Sequence, residues 1–103
     1  MLVFHNGSTG YVNLRDFYDE IDREYPETAT VTFTLFNQND GAITDATDVA
    51  MAKVSGTSGR NTVYRGEVPA TVTLPIGTEG TCIITATYGG KVRKFPEAAR
   101  FED

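Results

Sequence analysis

Tryptophan is absent from the 103 residues, and cysteine and histidine occur once each, as Cys82 and His5. A single cysteine excludes an intrachain disulfide. One cysteine with one histidine also falls short of the four nitrogen or sulfur ligands of a structural zinc site. Nucleophilic catalysis needs a base held in place by a third group, and no Gly-x-Ser-x-Gly elbow or comparable setting accompanies His5. No catalytic residues are therefore expected, and the chain is read as not an enzyme. Basic residues are few: 9 Lys+Arg stand against 14 Asp+Glu, a formal charge of −5. That balance excludes the basic stripe with which a protein neutralises nucleic-acid phosphates. No phosphate-cradling loop occurs, because Gly89-Gly90-Lys91 is too short for one, so no cofactor is expected. Long apolar runs are missing too. The opening Met1–Gly7 has no basic lead and a short apolar stretch, so neither a secretory signal nor a membrane span is expected, and the chain reads as made in the cytosol.

Leucine, the commonest core residue of helices, occurs only four times, whereas threonine occurs 15 times and valine 9 times. β-branched side chains lose rotamer freedom in a helix and pack well on a pleated sheet. The composition is mainly β, and a length of 103 residues without an internal linker makes residues 1–103 a single domain. Val31, Phe33 and Leu35 alternate with Thr30, Thr32 and Thr34, which predicts a strand with one buried and one solvated face. Similar alternation predicts strands at 2–5, 47–54, 62–69, 72–74, 82–88 and 91–95. The last is expected to break at Pro96, and Gly89-Gly90 to form a two-residue hairpin turn. In the strand at 82–88, Cys82 shares a side with Ile84, Ala86 and Tyr88, which places it in the core as a small hydrophobe. About seven strands with turns every 8–12 residues is sandwich spacing, so the expected fold is an immunoglobulin-like antiparallel β-sandwich.

One segment departs from period two. Leu14, Phe17, Tyr18, Ile21 and Tyr25 follow helical spacing, Asn13 is a good N-cap and Pro26 a stop, which predicts one short N-terminal α-helix over 14–25. Its other face carries Asp16, Asp19, Glu20, Asp22 and Glu24 and reads as a solvated lid or an acidic docking face. Near the C-terminus, Lys91, Arg93, Lys94 and Arg100 form a small basic cluster. Together with Asp19 and Asp22 they are the candidate protein-interface residues, since the basic cluster of one copy can pair with the acidic helix of the next. The 37–48 stretch offers oxygens from Asn37, Asn39, Asp40, Asp45 and Asp48, but without the order or glycine position of an EF-hand. It is read as turn chemistry, with a cation as the open alternative, and no metal ligand is assigned.

The stretch Val63-Tyr64-Arg65-Gly66-Glu67-Val68-Pro69, followed by the strand and turn from Cys82 to Gly90, resembles small immunoglobulin-like structural proteins of tailed bacteriophages. The likeness covers about residues 29–95, as a loose pattern. It implies a non-enzymatic virion protein, either capsid decoration or cement or a head-tail neck or tail component. Such a protein is assembled in the bacterial host cytoplasm and present in many copies or as a homo-oligomer. Its partners would be other virion proteins of the capsid, portal or tail, with no nucleic acid and no membrane. The alternative is an immunoglobulin-like recognition module of a cell-surface or carbohydrate-binding protein, with a ligand groove in the 37–48 or 55–61 loops.

Overall fold

The computed structural model describes residues 1–15, 17, 23, 29–55 and 62–102. Among the described residues there are seven strands: β1 Leu2–His5, β2 Gly10–Arg15, β3 Thr30–Phe36, β4 Val49–Ser55, β5 Val63–Val68, β6 Glu79–Tyr88 and β7 Lys91–Glu102. They form one mixed sheet in the order β1-β7-β6-β3-β4-β5-β2. Every pairing is antiparallel except β1 with β7, which run parallel from Leu2↔Ala99 to His5↔Glu102. The protein is therefore mainly β, as the threonine and valine content implies.

The sheet curls until its first and last strands approach. On β3, Val31, Phe33 and Leu35 are buried, as expected from their alternation, and they face Tyr64 and Val68 of β5 and Val12 of β2 in one core. β4 joins the two halves, pairing with β3 through Val49 and Met51 and with β5 through Ala52 and Lys53. A register shift between Lys53 and Ser55 marks a bulge, which re-aims the strand as it passes between the halves. Two glycines allow the close approach. A Cβ on Gly66 would lie 2.5 Å from the Phe33 ring, and one on Gly10 would lie 2.6 Å from the Phe4 ring. At both places a ring from the β1-β7-β6-β3 half fills the space that a side chain on β5 or β2 would otherwise take. At the β6–β7 hairpin, Gly89 and Gly90 have φ of 51° and 77°, the two positive values that the type I′ turn between Tyr88 and Lys91 requires.

Three expectations are corrected. The helix over 14–25 cannot begin where its spacing suggested, because Leu14 and Arg15 belong to β2 and pair with Tyr64 and Val63. Val12 and Leu14 face the core in strand alternation with the outward Tyr11, Asn13 and Arg15, and Arg23 has a φ of 54°, outside the right-handed helical region. Apart from Phe17 and Arg23, the rest of that segment lies outside the described residues, and no helix occurs among the described ones. Phe17 packs edge-on to Tyr88 and Phe95 with centroids 5.6 and 5.4 Å away, so it closes one end of the core.

The second correction concerns Pro96, which does not end β7. It pairs with Ile83 at a point where β1 has not begun, so among the described residues β7 has one neighbour there and the missing proline donor leaves no bond of that ladder unmade. The third concerns residues 72–74, which form no strand, although Val72 is buried.

Gly66→Ala is expected to destabilise the fold by about 1–3 kcal/mol through overpacking against Phe33, and Phe17→Ala by about 3–5 kcal/mol through the cavity it leaves. Urea denaturation midpoints of the two variants check both.

Candidate interaction surfaces

Alternation along β7 divides the basic residues expected to act together. Lys91, Arg93 and Phe95 are half-buried on the side that faces Tyr88, Ala86 and Ile84 of β6, whereas Val92, Lys94, Pro96 and Ala98 are exposed on the other side. The Lys91 ammonium sits over the Tyr88 ring, 5.6 Å from its centroid, and Arg93 donates from Nη1 to the Val92 carbonyl at 3.2 Å. Arg100 shares the outward side with Lys94 but lies six residues further on, where Nη2 reaches Glu79 Oε1 at 3.9 Å. Lys94 is thus separated from Lys91 and Arg93 by the thickness of the sheet. Asp19 and Asp22 lie outside the described residues.

The pairing register brings together something the linear sequence scatters. Three rows cross the outer face of β7, β6 and β3: Lys94–Thr85–Thr32, Pro96–Ile83–Thr34 and Ala98–Thr81–Phe36. Thr30, Thr87 and Val92 extend the surface beyond the first row. The face is built from methyl groups and hydroxyls, with Val92 51% exposed. Lys94 stands at its β7 margin and Asp48 at its β4 margin. Thr34 anchors the β4 side by accepting a hydrogen bond from the Asp48 backbone at 2.9 Å, and its own hydroxyl faces Asp48 Oδ1 at 3.4 Å. A shallow depression of ≈ 230 Å³ opens between Phe36, Asp40, Thr81 and Ile83. Sequence alternation marked Thr30, Thr32 and Thr34 as solvated, but only the register shows that Thr81, Thr85, Thr87 and Ile83 lie beside them.

Within the 37–48 segment, the Asn37 side chain holds the turn. Asn37 Oδ1 accepts from the backbone amides of Asn39 and Gly41, both at 2.9 Å, while Leu35 donates to Ala46 O and Ile43 to Leu35 O. Asp40, Asp45 and Asp48 have φ of 61°, 69° and 49°, a conformation that aspartate tolerates better than most residues. Among the described residues no group of three or more His, Cys, Asp or Glu side chains is placed to hold a metal ion.

On the far side of the molecule, the outer face of β2 and β5 carries Tyr11, 52% exposed, with the Arg65 guanidinium 5.4 Å from its centroid. Arg65 is fixed there by donating from Nε to Asn13 Oδ1 at 2.9 Å. Within the core, the Cys82 thiol is fully buried, and burial first, then the neighbouring Glu97 carboxylate, pushes its pKa up to about 12. Burial likewise raises the Tyr64 phenol, against the opposing effect of the Ala29 backbone. A thiol so held is not a nucleophile. His5 is exposed at the end of β1.

No family model, curated protein or solved structure matches the chain.

Native Cys82 is expected to resist alkylation at neutral pH, with labelling that tracks unfolding. Because its proton is held more tightly in the folded state, its contribution to stability is complete below the unfolded value of 9.0 and is lost as pH rises from there towards about 12. Denaturation midpoints of the wild type should therefore fall more steeply above pH 9.0 than those of Cys82→Ala. On β7, Lys94→Glu is expected to change stability by less than about 0.5 kcal/mol, as usual for a solvated site, while Arg93→Glu lowers it by more than about 1 kcal/mol, as thermal melts will show.

Proposed function

We propose that this chain is a non-enzymatic structural protein of a tailed bacteriophage virion, a capsid decoration, neck or tail component that works through contacts with other virion proteins. The observation that carries this reading is the broad outer face of β3, β6 and β7, a nearly charge-free surface of threonine, small and aliphatic side chains bounded by charges. Contact surfaces are depleted in charge at their centre and polar at their rim. The chemistry-bearing side chains are engaged elsewhere: Cys82 fills the core, Asn37 builds a turn, and Arg100 reaches across to Glu79.

Strand order supports the immunoglobulin-like sandwich. With the strands lettered A to G in chain order, G-F-C lie together and D-E-B lie together, the two layers of that fold. β1 takes the position beside G, and β4 hydrogen-bonds to both layers along one side.

The second reading, a recognition module of a cell-surface or carbohydrate-binding protein, draws on the exposed Tyr11 ring braced by Arg65, since sugars stack on aromatic platforms. Mass spectrometry of density-gradient-purified tailed particles from the host strain separates the two. The chain should appear in the particle band in multiple copies. Its absence from particles while abundant in the lysate overturns the virion reading, and glycan-array binding lost in Tyr11→Ala establishes the second.

A further inference from the structure

We propose that Asn6 is a self-modifying latch: its side-chain amide holds the 72–74 stretch against the end of β1, and attack by the Gly7 backbone nitrogen, which turns that amide into an acid, opens the hold for good. The inference concerns the chain itself and stands apart from the virion reading.

Residues 72–74 lie between β5 and β6 and belong to no strand, yet Leu74 is tied as a strand residue would be. Asn6 Nδ2 donates to the Leu74 carbonyl at 2.7 Å, and Asn6 Oδ1 accepts from the Leu74 amide at 3.2 Å. One planar side chain thus imitates the peptide group of a neighbouring strand. A carboxamide can do both, whereas a carboxylate offers acceptors alone. The Asn6 backbone is fixed as well, its amide donating to the Glu102 carbonyl at 2.8 Å just beyond the last β1–β7 pair. The latch therefore joins the end of β1, the end of β7 and the 72–74 stretch.

The residue that follows makes the latch vulnerable. Ser8 donates from its backbone to the His5 carbonyl at 3.1 Å and Gly7 has a φ of 81°, which makes a type II turn with Asn6 and Gly7 at its centre. Gly7 brings no side chain to shield its nitrogen, and the space a Cβ would take is open to 4 Å. The chain has a second bond of this kind, Asp40-Gly41, but there the Gly41 amide is engaged, donating to Asn37 Oδ1 at 2.9 Å. Among the described residues the Gly7 amide has no such acceptor. At residue 6 the fold holds the attacked group instead of the attacking one.

Once the side chain leaves Leu74, the Gly7 nitrogen gives up its proton to base and attacks Asn6 Cγ. The new C–N bond closes a five-membered succinimide while the Cγ–Nδ2 bond breaks, and Nδ2 takes up a proton and departs as ammonia. Water then opens the ring. Cleavage of the new bond leaves aspartate, and cleavage of the old peptide bond leaves isoaspartate, with the chain running through Cβ. One water is consumed and one ammonia released, with no change of oxidation state. Aspartate sets an acceptor where the Leu74 carbonyl needs a donor, and isoaspartate adds a carbon to the backbone inside the His5–Ser8 turn. Neither restores the pair. Because two ordinary hydrogen bonds must break before the attack, the latch slows it about tenfold or more relative to the open chain.

Incubation of the full chain at mildly alkaline pH, in native buffer and in guanidinium chloride above the unfolding midpoint, tests the proposal by peptide mapping for aspartate and isoaspartate at position 6. Both products should accumulate in denaturant and form at least about tenfold more slowly in native buffer. Leu74→Pro removes the amide that Asn6 Oδ1 accepts from and leaves Asn6-Gly7 untouched, so its native rate should rise towards the denatured one. Asn6→Asp should melt below the wild type at neutral pH, and the gap should close as pH falls through about 4, where a protonated carboxyl again both donates and accepts. The neighbouring His5 and Glu102 are common to both proteins and cancel in that difference. Should Leu74→Pro fail to fold, the ratio of native to denatured rates and the pH course of Asn6→Asp decide. Equal rates with and without denaturant, a folded Leu74→Pro that reacts as slowly as the wild type, or a melting gap that is absent or indifferent to pH each overturn the latch. An asparagine that stays intact in denaturant overturns the modification site.

Discussion

The fold depends on one aromatic ring pressed against bare backbone. Phe33, fully buried at the middle of β3, rests on Gly66 of β5, where even a methyl group would stand 2.5 Å from the ring. The distance between the two halves of the sheet is set there by the thickness of a phenyl ring. Val12, paired with Gly66, and Met51, on the strand that joins the halves, take their depth from that contact. The same solution recurs at Phe4 and Gly10, where the first and last strands of the sheet meet, and Phe4 stacks at 5.4 Å on Phe101 to continue the core towards β7. A core of this size tolerates little error, since small domains retain only a narrow margin of stability.

Much of the interior was legible in the sequence because period-two alternation reports burial directly. Val31, Phe33 and Leu35, then Tyr64, Gly66 and Val68, then Cys82, Ile84 and Ala86 all face inward as their spacing says. Other features were not legible, each for a physical reason. Residues 10–15 are too short and too mixed for alternation to outweigh the helical spacing of Leu14 and Phe17, and what makes them a strand is the pairing with β5, far away in the sequence. Pro96 reads as a terminator until it is known that β7 has one neighbour at that point. The candidate interface suffered most, since Lys91, Arg93 and Lys94 are adjacent in sequence but lie on two sides of a strand. The threonine face, by contrast, is assembled from three strands whose register no local pattern encodes.

Thr30, Thr32, Thr34, Thr81, Thr85 and Thr87 share that face. A threonine presents a methyl group and a hydroxyl from one stiff side chain. Rows of them on adjacent strands make a surface that is both wettable and stiff in its rotamers. The open half of β7 alongside it carries Lys94 and Pro96, residues that discourage a further strand from adding to the edge.

The parallel pairing of β1 with β7 has a mechanical consequence. The start of β1 lies beside Ala99 and the end of β7 beside His5, so tension applied between Leu2 and Glu102 pulls the two strands along each other in opposite directions. The ladder of hydrogen bonds across that pair is loaded all at once and must rupture together, whereas an antiparallel pair pulled from one end opens one bond at a time. A pull along that line loads the β1–β7 ladder in shear and does not unzip it.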